Sequence, residues 1–210
     1  MKTDALIAAL AADTTPRASP GARMVRVLPL AVALSLTALL TGWHVRADLA
    51  SALGSVAVYK TAVPLTLALS ALWLARGLAR PEARAGREWA LIGVLMAGLA
   101  LALVWGLAVT PVPRIAEILD TPDYANCLIS VPVLAALPLA GALWALRAGA
   151  TLHPAKSGAA AGLIAGGAAA AIYSLHCPHD HLMYFFPAYG VAMAGVTLAG
   201  ALLGARLLRW

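Results

Sequence analysis

Charged side chains are scarce in this sequence. Asp, Glu, Lys and Arg make up 11% of its 210 residues, whereas soluble domains carry about 25%. Together with a hydrophobic content of 62%, this excludes a soluble domain and indicates an integral membrane protein. The net charge of +6 does not indicate direct nucleic-acid binding, because the basic residues flank apolar runs and are not interleaved with aromatic residues.

Ionisable residues are absent from the middle of the apolar runs. Crossing the roughly 30 Å of hydrocarbon in a bilayer takes about 20 residues, and six runs meet that requirement. They are Val27–Trp43, Val56–Ala75, Trp89–Val109, Leu128–Leu146, Gly158–Leu175 and Met183–Leu208. Lys60 lies near a run end, from which its side chain is expected to reach the surface. Because intramembrane ionisable groups usually mark ion pathways, their absence counts against a proton-coupled transporter.

A signal-peptide cleavage site is also missing. The first run follows Arg23 and Arg26, as a signal peptide would, but it is long and no small-residue cleavage site follows it, so we expect a retained span. Six spans place both termini on one side of the membrane, with twelve of the 15 Lys and Arg residues. Only Arg46, Lys60 and Arg114 fall on the other side. This asymmetry predicts a multi-pass protein of the bacterial inner membrane with cytoplasmic termini.

The predicted fold is all-α and has two parts. Residues 26–210 form a polytopic bundle of six transmembrane helices, and residues 1–25 form a cytoplasmic tail and linker with one short amphipathic helix. Glycines recur at four-residue spacing in the last two spans, at Gly158, Gly162, Gly166, Gly200 and Gly204. Such spacing lets helix backbones approach closely, either within one bundle or between two copies of the chain.

The tail has the pattern of a short binding helix. Thr3 or Asp4 can cap it, and Leu6, Ile7 and Leu10 then form one apolar stripe at helical spacing. A helix of about ten residues is marginal in water by itself and needs a surface to pack against. It has few basic residues and no aromatic anchor, which favours a groove on a partner protein over the membrane surface or disorder.

Cysteine occurs only twice, as Cys127 and Cys177. The predicted topology places both on the periplasmic side, where disulfides can form. Two unrelated apolar side chains are one interpretation. A second is a thiol pair that joins on oxidation, which requires Cα atoms within about 7 Å.

A third interpretation is a metal centre. The stretch "SLHCPHDHLMYF" gathers histidines around the second cysteine, and soft and borderline ligands of this kind suit copper or zinc. The candidate ligands are Cys127, Cys177, His176, His179 and His181. Their spacing matches no standard zinc motif, and histidines in a short loop can equally be solvated.

These predictions together place a candidate sensor outside the membrane and a candidate binding peptide inside it, joined by a helical bundle. This is the layout of a signal transducer.

The sequence resembles a known family over essentially its whole length. The segments "MKTDALIAALAAD", "NCLISVPVLAALPLAGALWALRAGA" and "GLIAGGAAAAIYSLHCPHD" are similar to those of the NrsF-type bacterial membrane proteins. The resemblance implies an anti-sigma factor, not an enzyme, whose tail holds an extracytoplasmic-function sigma factor at the lipid bilayer. It also implies that two periplasmic-side cysteines respond to oxidants or to metals such as chromate, cadmium or copper.

The resemblance assigns roles to particular residues. Cys127 and Cys177 are implied as the redox-sensing pair, and the sigma-factor contacts fall on Asp4, Leu6, Ile7 and Leu10. A thiophilic metal such as copper would be a signal rather than an obligatory cofactor. The family usually has an acidic residue after "HCP", where this chain has His179, and the additional imidazoles favour a metal signal.

Two other function classes remain as alternatives. A membrane thiol oxidoreductase would exchange electrons with quinone, but the chain has no CxxC pair and no further cysteine to relay electrons. A small copper transporter or binding protein is the other, and the unbroken apolar spans count against transport.

Overall fold

The described structure is helical throughout. A computed structural model describes residues 3–12, 18–80 and 86–209, and no strand occurs in these ranges. The long helices are α2 (Pro20–Gly42), α4 (Tyr59–Leu78), α5 (Gly86–Val109), α7 (Asp123–Leu146), α8 (Pro154–Tyr173) and α9 (Leu182–Leu207), and the short ones are α1 (Thr3–Ala12), α3 (Leu49–Leu53) and α6 (Val112–Leu119). All six long helices are long and apolar enough to cross a membrane. The predicted all-α fold with six spans is confirmed.

The helix ends differ from the predicted spans where local capping decides them. α2 begins at Pro20, well before the predicted Val27, because the Ser19 side chain accepts a hydrogen bond from the backbone N–H of Ala22 and proline occupies the first turn. The short α3 and α6, and a 3₁₀ turn at Val56–Val58, were not predicted. They lie in the connections at the end of the bundle away from the termini, which we call the distal end.

α8 is the central helix of the bundle. It packs against α9, α4 and α7, whereas α5 lies at the periphery with only Ile92 and Gly106 buried. The contact between α8 and α9 depends on glycine, because a Cβ on Gly162 would lie 2.6 Å from both the Thr197 Cα and the Val196 carbonyl oxygen. The four-residue glycine spacing therefore serves packing within one bundle.

The first membrane helix is tied to α7 by a buried hydroxyl. Ser35 is 2% exposed. Its Oγ donates to the Leu134 carbonyl at 2.8 Å and also contacts the Ala31 carbonyl of its own helix at 3.1 Å. The hydrogen bond satisfies the hydroxyl inside an apolar core and fixes α2 against α7.

The tail helix is present as predicted. α1 spans Thr3–Ala12, and its described side chains are exposed. The side chain of Leu10 and residues 13–17 lie outside the described part of the chain.

Candidate functional site

Both cysteines are buried at the distal end of the bundle. Cys127 lies in the second turn of α7 and is 0% exposed, and Cys177 lies in the loop between α8 and α9 and is 2% exposed. They belong to the same hydrophobic cluster and are free thiols. The structure therefore brings together two residues that are far apart in the sequence.

The loop that carries Cys177 is a tight turn closed by its own backbone. The amides of His176 and Cys177 both donate to the Tyr173 carbonyl, at 3.0 and 3.1 Å. Pro178 cannot continue a helix, and His181 starts α9 by accepting a hydrogen bond from the Met183 amide on its Nδ1 at 3.2 Å. This geometry turns Cys177 back into the core.

Tyrosines surround the two sulfurs. The Tyr184 hydroxyl lies 3.5 Å from the Cys127 Sγ, and Tyr124 packs edge-on against the Tyr184 ring at 5.8 Å between centroids. Tyr173 and Tyr189 form a second edge-on pair at 6.1 Å within the same cluster. Sequence analysis missed these residues, although four of the five tyrosines lie within twelve positions of a cysteine in the chain.

The surroundings of Cys177 favour its thiolate. The neighbouring Cys127 thiol is the largest influence and holds the pKa of the Cys177 thiol below its ordinary value. The Lys60 charge and a backbone hydrogen bond from His179 act in the same direction, whereas burial opposes them. Because the thiolate is the nucleophilic form of cysteine, these groups favour reactivity at Cys177.

Two buried cations hold the Cys177 loop. Lys60 is 1% exposed, and its Nζ donates to the carbonyls of Cys177 and His179 at 2.5 and 3.2 Å and to Asp180 Oδ1 at 2.7 Å. The expectation that Lys60 extends to the membrane surface is wrong, because the loop folds over the end of α4 and supplies these acceptors. Arg46 donates to both Asp180 oxygens at 2.7 and 2.8 Å and to the Cys177 carbonyl at 3.2 Å.

We call Arg46, Lys60 and Asp180 the Asp180 clasp. Arg46 has a second carboxylate partner in Asp48, at 2.7 and 2.8 Å. The pKa of Asp180 is held below its ordinary value, first by its hydrogen bonds with Arg46 and then by those with Lys60. Asp180 thus compensates both cations of the clasp, and Asp48, which lies outside the clasp, compensates Arg46 alone.

The segment that follows α2 is bonded to the same loop. The Arg46 amide donates to the Leu175 carbonyl at 3.0 Å, and the His176 Nδ1 lies 2.9 Å from the His44 carbonyl oxygen. His44 has a φ of 65°, the left-handed region that non-glycine residues rarely adopt.

The five predicted metal ligands do not converge. His176 bonds to the His44 backbone, His179 Nε2 lies 2.9 Å from Asp123 Oδ2, and His181 caps α9. No three His, Cys, Asp or Glu side chains in the described ranges are arranged to hold a metal ion. The physical reason is local: each of the three imidazoles has a hydrogen-bond partner of its own, and none of these partners is a thiol.

A surface cavity lies beside the buried thiols. It has a volume of about 330 Å³ and is lined by residues of α6, the connection that follows α6, the Cys177 loop and α9, among them Arg114, Thr121, His179 and Tyr184. Tyr184 links the cavity to the core, because its hydroxyl contacts Cys127 while its ring stacks on His179 at 4.3 Å between centroids. The Tyr184 side chain therefore separates this cavity from the Cys127 thiol.

The predicted partner-binding residues lie in α1, near the N-terminus and far from the cysteines in the sequence. Asp4 lies in the first turn of α1, and the Leu6 and Ile7 side chains are 43% and 59% exposed. The apolar stripe is therefore uncovered in the isolated chain wherever the structure describes it.

Comparisons with known proteins agree over the full length of the chain. The family described as "NrsF: Negative regulator of sigma F" matches residues 10–210. The Anti-sigma-F factor NrsF of Caulobacter vibrioides (strain NA1000 / CB15N) is 33% identical, with 100% of both chains covered. The Probable anti-sigma-F factor NrsF of Azospira oryzae (strain ATCC BAA-33 / DSM 13638 / PS) is 29% identical, again with 100% of both chains covered. No solved structure matches the chain.

Proposed function

The chain belongs to the NrsF family of negative regulators of sigma F, and from this premise we propose that it sequesters an extracytoplasmic-function sigma factor at the bacterial inner membrane. The N-terminal tail is the binding segment, and oxidation of Cys127 and Cys177 releases the sigma factor. The family is one of regulators, and the proposed role needs no catalysis. Both termini lie in the cytoplasm, where the sigma factor is, and the cysteines lie at the periplasmic side.

One observation carries the sensing part of the proposal. The only two cysteines of the chain come from α7 and the loop between α8 and α9, and they share one buried cluster as free thiols. A disulfide needs Cα atoms within about 7 Å, and burial in the same cluster supports such an approach.

The oxidation step follows from the chemistry of the two thiols. The Cys177 thiolate attacks a two-electron oxidant such as hydrogen peroxide, which breaks the O–O bond, forms a sulfenic acid and releases hydroxide that is protonated to water. The Cys127 thiol then attacks the oxidised sulfur, and a disulfide forms as a second water leaves. Copper or another thiophilic metal would act on the same two sulfurs.

The tail supplies the binding part of the proposal. Leu6 and Ile7 together present an uncovered apolar stripe, and burying a whole Leu or Ile side chain is worth about 1.5–3 kcal/mol. Because each is about half exposed, full burial of both on a partner would contribute roughly the amount expected for one complete side chain. This contribution alone is sufficient for a measurable change in affinity, since about 1.4 kcal/mol is a factor of ten.

The cysteine test is release of a bound sigma factor under oxidant. The full-length protein is copurified with the sigma factor from cells before and after hydrogen peroxide, and sigma-dependent transcription is measured in parallel. Cys127→Ser and Cys177→Ser should each retain the sigma factor under oxidant while binding it normally without oxidant. An undiminished response in either variant would remove that cysteine from the sensor.

The tail test places one added charge on either face of α1. Leu6→Asp, on the apolar stripe, should reduce the amount of sigma factor that copurifies by at least about tenfold, because a charged group would be buried in the contact. Ala8→Asp, on the opposite face of the same helix, is the matched control and should bind normally. Equal retention by the two variants would show that the stripe is not the docking face.

A further inference from the structure

The segment after α2 connects to both elements that carry cysteines. Trp43 donates its Nε1–H to Ser130 Oγ at 2.9 Å, one turn beyond Cys127 on α7. Arg46 donates to the loop that carries Cys177, through its amide and its guanidinium. Residues 43–46 are therefore bonded both to the helix that carries Cys127 and to the loop that carries Cys177.

The same segment is continuous with the tail. α2 ends at Gly42, and its first turn at Pro20 follows directly from the linker to α1. A helix transmits displacement along its axis because its backbone hydrogen bonds keep its length fixed. A shift of residues 43–46 at the distal end is therefore passed to the end of α2 that joins the tail.

Building on the redox function proposed above, we propose that Arg46, Lys60 and Asp180 are positioning residues that couple a Cys127–Cys177 disulfide to movement of α2 and the tail. Trp43 is the corresponding attachment on the α7 side. A change in the distance between the two thiols would thereby displace residues 43–46, the segment that follows α2.

Disulfide formation draws the two sulfurs together. An S–S bond is about 2.05 Å long, well inside the contact distance of two non-bonded sulfurs, and rotation of the side chains together with movement of the two elements closes the difference. The Cys177 carbonyl is held by both Lys60 and Arg46. Because hydrogen bonds weaken steeply beyond about 3.2 Å, a clasp that stays intact moves with Cys177 and displaces residues 43–46 with it.

The clasp can carry this displacement because its two cations are buried and share one carboxylate. The Arg46 and Lys60 side chains are 6% and 1% exposed, and Asp180 accepts from both. Losing the carboxylate leaves Lys60 with backbone carbonyls as its remaining partners in the described structure. A buried charge without its counter-charge is strongly unfavourable, so the clasp resists partial opening and behaves as one unit.

The experiment separates thiol oxidation from sigma release. Full-length protein bound to its sigma factor is treated with diamide, and each sample is divided for disulfide content by alkylation mass shift and for retained sigma factor. Asp180→Asn should form the disulfide to the same extent as wild type, yet release at least about fivefold less sigma factor at equal disulfide. Asp180→Glu, which keeps the carboxylate, should restore release.

Asp48→Asn is the matched control. Asp48 accepts from the Nε and Nη2 of the same guanidinium, has an exposure of 59% and makes no bond to the Cys177 loop. It should oxidise and release like wild type. Trp43→Phe is a second coupling variant, because it removes the donor to Ser130 and keeps the ring, and it should reduce release in the same way if Asp180→Asn does not fold.

The outcomes distinguish this inference from the function it rests on. If wild type forms the disulfide without releasing sigma factor, the redox function fails and the coupling fails with it. If wild type releases but Asp180→Asn and Trp43→Phe release equally well at equal disulfide, only the coupling by residues 43–46 is overturned. Reduced release by Asp48→Asn equal to that of Asp180→Asn would also overturn it, since a general loss of charge would then explain the effect.

Discussion

Replacing Lys60 by methionine tests whether the hydrogen bonds of its ammonium group stabilise the Cys177 loop. The substitution keeps most of the side-chain volume and removes the ammonium, which makes three hydrogen bonds to the Cys177 loop, one of them to a carboxylate. Asp180 would retain its two bonds from Arg46, and the Cys177 carbonyl would retain one. The loop should therefore stay in place but be held less tightly.

The magnitude follows from what remains bonded. Breaking a buried ion pair by removing one partner costs about 3–5 kcal/mol, but Asp180 is 33% exposed and keeps its other cation. A hydrogen bond to a charged group contributes about 1.5–3 kcal/mol, so we expect a loss of about 2–3 kcal/mol in the free energy of unfolding. For a chain of this length that corresponds to a fall in Tm of about 4–12 °C.

The assay is thermal unfolding of the purified protein in detergent, with a lysine at the other end of the bundle as control. Lys156 lies in α8 and is exposed, so Lys156→Met should change stability by no more than about 0.5 kcal/mol. Equal Tm values for Lys60→Met and Lys156→Met would show that the Lys60 bonds do not stabilise the fold, and the Asp180 clasp would lose its physical basis.

Two further predictions concern the contact between α8 and α9 and the reactivity of Cys177. Gly162→Ala should lower the Tm because the added Cβ would lie 2.6 Å from backbone atoms of α9. Gly195→Ala is the control, since nothing lies within 4 Å of its Cβ, and it should leave the Tm unchanged or raise it. Similar Tm values for the two variants would contradict the close approach of α8 and α9. Because the Cys177 pKa is lowered, its rate of alkylation by iodoacetamide should stay high below the ordinary thiol pKa of about 8.5 and fall only as the pH drops through the lower native value. Cys127→Ser removes the main cause and should move that midpoint upward; an unchanged midpoint would assign the effect to another group.

The sequence was a good guide to the helices that cross the membrane. An apolar run of about 20 residues has one favourable structure in hydrocarbon, a helix that satisfies its own backbone hydrogen bonds, and the six predicted spans are found as helices. The tail helix was predictable for a similar reason, because its cap residues and its apolar stripe lie within one short segment. Short connections such as α6 escaped prediction because its eight residues are fewer than the roughly 11–18 over which helical periodicity is judged.

The candidate site was only partly visible in the sequence. The topology argument placed Cys127 and Cys177 at the same end of the bundle, but the tyrosines around them come from three helices and have no shared motif. The predicted role of the histidines as ligands depended on side-chain direction, which a loop sequence does not specify. In the structure, His179 pairs with Asp123 on another helix instead.

What the sequence determined by itself was the number of spans, their order and the presence of a tail helix, because those depend on local hydrophobicity and capping. Only the tertiary structure decided that Lys60 is a buried partner of Asp180 and that the segment after α2 is bonded to both elements that carry cysteines. The physical reason is that ion pairs and hydrogen bonds between elements depend on how helices rotate and dock. The rotation and docking of each helix depend on packing over the whole bundle, so no single segment of the sequence specifies them.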